Sequence, residues 1–168
     1  MNSKQVLRGG AGFAALETGA LAGLALVTGT VPTAWPAVTA AVAAGPLPPA
    51  AEDATLAGLT LPLAAREADV IALTAEVRGR LATHGVALEA IRARIVRPVE
   101  FNAALDGGIN KADLLSRTTL DLAAGLRVDE KGPVLVWCDR HGGRRHYAGL
   151  VARHFGAPLV SVAEETAA

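Results

Sequence analysis

A chain of 168 residues is long enough to bury one sizeable core and short for two, so a single domain over 1–168 is the expectation. Its 16 basic and 16 acidic residues cancel, which excludes a global field drawing the protein to nucleic acid or to an anionic membrane and leaves room for local attraction alone. The lone cysteine, Cys138, excludes a disulfide framework and a cysteine-rich zinc site, suits a reducing cytoplasm, and reads as a small buried hydrophobe in its apolar surroundings.

In chain order, Lys4 and Arg8 precede an apolar stretch, Ala11 to Val31, that imitates a signal peptide or membrane helix. Glu17 inside the stretch and its glycines argue against insertion, since a carboxylate is costly in lipid. Residues 11 to 28 read instead as a soluble helix ended by Gly29 and Pro32. Residues 29–62, with Pro46, Pro48 and Pro49, form a proline-rich connector with room for one short helix after Pro36. Leu63 to His84 follows as an amphipathic helix with Val70, Leu73, Val77 and Leu81 on one face and Gly85 as its stop.

From Val86 the period changes. Ile91, Ala93 and Ile95 alternate with Arg92 and Arg94, the two-residue repeat of a strand with one buried face and its arginines over an edge. A turn at Asp106 to Gly108 leads to Asn110, an N-cap, and a helix to Leu126 built on Leu114, Leu115, Leu120 and Leu122. Val134 to Cys138 is too short for a helix and valine-rich, as a central strand would be. Tyr147 to Phe155 reads as a helix and Pro158 to Val162 as the next strand. The expected fold class is therefore α/β, with a parallel strand-helix-strand unit at the C-terminus and packed helices before it.

That topology places the chemistry. Loops after parallel strands share one sheet edge, where ligands bind. Asp139 ends one strand, and Glu164 and Glu165 follow the other, so two or three carboxylates can meet as a hard cation requires. Gly142 and Gly143 let the backbone turn close to a ligand, while His141, Arg144, Arg145 and His146 supply donors next to a helix start, a phosphate cradle. The basic run from Arg140 to Arg153 contains no acid. The plainer alternative is that Asp139 caps the following helix and the arginines form a solvated face. His154 and His84 read as cations favoured at helix C-termini rather than as ligands. No phosphate-binding P-loop, dinucleotide glycine pattern, nucleophile elbow or triad spacing is present.

The order of these features resembles the type 2 ribonuclease H family, ribonuclease HII. Asn2-Ser3-Lys4-Gln5 is similar to that family's Asp-Ser-Lys-Lys. Ile91 to Val96 followed by Pro98-Val99-Glu100-Phe101-Asn102 is similar to its strand, Pro-Glu-x-Ile and Asn. The helix holding Ala112, Thr118 and Leu122 resembles its alanine-rich helix, and Val134-Leu135-Val136-Trp137-Cys138-Asp139 its apolar strand ending in a catalytic aspartate. The resemblance implies a partial ribonuclease H-like fold, an RNA–DNA hybrid or other nucleic acid as partner, no membrane partner, and Mg2+ or Mn2+ as cofactor. Asp139 inherits the catalytic, metal-binding role; Ser3 and Lys4 inherit a place near the substrate backbone; Glu164 or Glu165 stands in for a late aspartate. The chain departs from the family where an adjacent Asp-Glu strand should precede the Ser-Lys motif, so it reads as the later part of such a domain. A two-metal site holds its ions about 4 Å apart with several carboxylates. The alternative is a non-catalytic module that binds nucleic acid or a phosphate-bearing ligand through Arg140 to Arg153.

Overall fold

The computed structural model describes residues 12–44, 56–126, 134–138 and 146–155 of the chain. Along them run helices α1 (Gly12–Thr28), α2 (Trp35–Val42), α3 (Glu67–Thr83), α4 (Pro98–Asp106), α5 (Lys111–Leu126) and α6 (Ala148–Phe155). Contacts divide the chain into two compact units, Met1–Arg92 and Ala93–Ala168.

In the first unit, α1 is favoured by its alanines and leucines, and it buries the face formed by Glu17, Leu21, Leu24 and Ala25, spaced at one helical turn. Gly29 ends it, donating its amide to the Ala25 carbonyl at 3.0 Å. The core is Leu21, Ala22 and Leu24 against Val70 of α3, with Val38, Leu61, Leu73 and Ile91 packed around it. The Ile91 side chain packs close over Gly23, where an added Cβ would lie 3.3 Å from the Ile91 Cδ1. The expected short helix in the connector is α2, with Pro36 in its first turn, where a missing amide costs nothing. An isolated antiparallel bridge joins Ala34 and Thr60, and Leu61 donates to the Thr33 carbonyl at 2.9 Å.

Helix α3 buries Val70 and Thr74, the Thr74 hydroxyl donating to the Val70 carbonyl at 2.7 Å. Its end is where Gly85 predicts it. The Gly85 amide reaches the Ala82 carbonyl at 3.1 Å and the Val86 amide reaches Leu81 at 2.9 Å, a Schellman closure that needs the positive φ of +63°. Helix α4 closes in the same way at Gly108, φ +84°, with Ile109 donating to Ala104 at 3.0 Å.

In the second unit, Asn110 caps α5 as expected. Its Oδ1 accepts from the Asp113 amide at 2.9 Å, and its Nδ2 donates to the Asp113 carboxylate at 2.8 Å. Ser116 and Leu120, one turn apart, form the buried stripe of α5, and α6 packs against α5 with Leu150 buried.

The α/β expectation is overturned: every regular element among the described residues is a helix, and they contain no sheet. Ile91 does turn to the first unit's core, but Ile95 is 55% exposed, and Arg94 pairs with Glu100 instead of covering a sheet edge. Val134 to Cys138 is not a strand. Leu135 is 80% and Trp137 86% exposed, and Cys138 is an exposed free thiol rather than a buried hydrophobe. Alternation and valine content say what a strand would bury, whereas a strand forms only when a neighbour takes its amides and carbonyls. The expected strand-helix-strand unit therefore does not form around α6, and its second strand, Pro158 to Val162, lies outside the described residues.

Candidate functional site

The residues singled out from sequence, Ser3, Lys4, Asp139, His141, Gly142, Gly143, Arg144, Arg145, Glu164 and Glu165, all lie outside the described residues. The described end of the basic run is His146 and Arg153, and Arg153 leads into a site that sequence reasoning missed.

Helices α5 and α6 pack together, and each buries an apolar position, Leu120 or Leu150, with charged residues beside it. Arg117 and Asp121 of α5 and Leu150, Arg153 and His154 of α6 line one cleft of about 330 Å³. Arg117 and Asp121 are four residues apart, so they share a face of α5; Leu150, Arg153 and His154 do the same on α6. The Arg153 Nε donates to the Gly149 carbonyl at 3.0 Å, which fixes the base of its guanidinium.

His154 joins the helices. Its Nδ1 lies 3.0 Å from the Leu150 carbonyl and its Nε2 3.4 Å from the Asp121 Oδ1. A carbonyl accepts and never donates, so Nδ1 holds the proton in that contact, and Nε2 donates to Asp121 when the ring is charged. In the last turn of α6, His154 also sits where a cation is favoured. His84 occupies the cap position of α3.

A second polar feature lies in the first unit. Glu17, 7% exposed, accepts from three successive amides, Leu63 at 2.6 Å, Ala64 at 2.7 Å and Ala65 at 2.8 Å. Burial by itself pushes the carboxyl pKa up; the three amides outweigh that and hold it below its ordinary value. Glu17 thus anchors the segment before α3 to α1, and no helix among the described residues is long and apolar enough to cross a membrane. The described residues also hold no group of three or more His, Cys, Asp or Glu able to bind a metal.

Arg117 and Asp121 left one trace in the sequence, their spacing on a helix otherwise read for its leucines; that α6 would meet them there is a long-range fact no local pattern carries. Comparison with protein-family models, curated proteins and solved structures finds no match.

Proposed function

We propose that the chain is a cytoplasmic, helical, non-catalytic module that binds nucleic acid or a phosphate-bearing ligand through its basic segment, Arg140 to Arg153. The observation that supports this reading most is the meeting of Arg153, at the end of that segment, with Arg117 of α5 across one cleft. Guanidinium groups match phosphate oxygens in charge and in fork geometry, and a neutral protein needs such a local cluster to bind a polyanion.

The order of sequence motifs supports a second reading, a metal-dependent ribonuclease H-type endonuclease acting on the RNA of an RNA–DNA hybrid. It keeps Asp139 as the catalytic carboxylate, with Glu164 or Glu165 beside it and Mg2+ or Mn2+ bound. Its support is the resemblance alone.

One experiment separates the two. An RNA–DNA hybrid is incubated with the full chain in manganese at several salt concentrations, and both retention and cleavage are followed. The binding reading expects affinity that falls steeply with salt, weakens in the Arg144→Ala, Arg145→Ala double variant and survives Asp139→Asn. Affinity independent of salt would sink it. Cleavage that disappears in Asp139→Asn would replace it with the ribonuclease reading.

A further inference from the structure

Arg117 stands outside the basic run and reaches it through the packing of α5 on α6. We infer that Arg117 and Arg153 together hold one phosphodiester of a single-stranded nucleic acid, an inference that rests on the binding reading above and assigns it a specific site. Charge is the first argument. Two guanidinium groups against the single carboxylate of Asp121 leave the lining net positive whichever form His154 takes, as a phosphodiester anion requires.

Arrangement is the second argument. Asp121 opposes an anion in the cleft, and the guanidinium groups of Arg117 and Arg153 outnumber it two to one. The bond from Arg153 Nε to the Gly149 carbonyl holds one guanidinium in place before any ligand arrives, which lowers the entropy lost on binding. Size is the third argument. About 330 Å³ has room for a phosphate with an adjoining sugar, and a single strand, unlike a duplex, can bend its backbone to deliver one there.

The test is fluorescence anisotropy of a labelled deoxythymidine strand with the full chain across a range of salt. Arg117 and Arg153 are both exposed, so alanine at either leaves the helices intact, which a circular-dichroism melt verifies. Arg117→Ala is expected to weaken binding about 3- to 10-fold and to lower the salt slope by about 0.7, the contribution of one phosphate on a single strand. Arg153→Ala should do the same, and Arg117→Lys should recover the slope, since it keeps the charge. An Arg117→Ala protein with wild-type affinity and slope, alongside weakened binding in the Arg144→Ala, Arg145→Ala protein, overturns this site and leaves the binding reading standing. A wild-type chain that binds no strand removes both.

Discussion

The Glu17 carboxylate accepts a hydrogen bond from the Ala64 amide at 2.7 Å across 47 residues of chain, and its other oxygen takes the amide of Leu63. One side chain thus fastens the segment before α3 to the middle of α1. Hydrogen bonds to a charged acceptor contribute about 1.5–3 kcal/mol each, and amides left without an acceptor cost about as much. Glu17→Ala is expected to lower the stability of the first unit by about 2–3 kcal/mol, and Glu17→Gln, which keeps one acceptor oxygen, by less. Urea unfolding followed by circular dichroism measures both; a change under about 0.5 kcal/mol for the alanine would show that the anchor contributes nothing.

The same carboxylate gives the protein an acid-sensitive point. Its folded pKa is lowered, so its contribution is present in full above the ordinary value of 4.5 and is lost as pH falls below that through the folded value. Melting temperature should therefore drop on acidification more steeply in the wild type than in Glu17→Gln, whose amide does not titrate. Parallel curves for the two proteins would refute this.

Val70 is fully buried against α1, whereas its neighbour Ile71 faces solvent. Val70→Ala opens a cavity in the core and should cost about 2–3 kcal/mol, while Ile71→Ala should stay within about 0.5 kcal/mol of wild type. Equal effects in urea titrations of the two variants would mean that the register of α3 on α1 is misassigned.

Asn110 satisfies the first turn of α5 with its own side chain. Asn110→Ala should destabilise the second unit by about 1 kcal/mol, and Asn110→Ser should recover most of that loss. Amide hydrogen exchange at residues 112–114 reports it directly: faster exchange in the alanine variant is expected, and unchanged rates would rule the cap out.

Where a local signal has a local cause, sequence and structure agree. Gly29, Gly85 and Asn110 mark helix ends because each meets a backbone need within a few residues of itself. The expected strands fail to form for the opposite reason. Ile91 to Ile95 and Val134 to Cys138 carry the composition of strands, but a strand is a relationship between segments, and no described segment supplies the second partner. The cleft has the same character: Arg117 and Asp121 are ordinary surface positions until α6 packs beside them. Glu17 announced itself as an acid in an apolar helix, yet its partners are backbone amides, which have no signature in a sequence.

Trp137 is bathed in water on nearly every side, with Cys138 next to it. Its indole should emit at the red limit for tryptophan, and whatever settles on Val134 to Cys138 will shift that emission to the blue. The thiol one residue away accepts a maleimide dye. With the other tryptophan, Trp35, replaced by Phe, the chain carries its own optical reporter, in a position to signal the arrival of another molecule without a foreign tag.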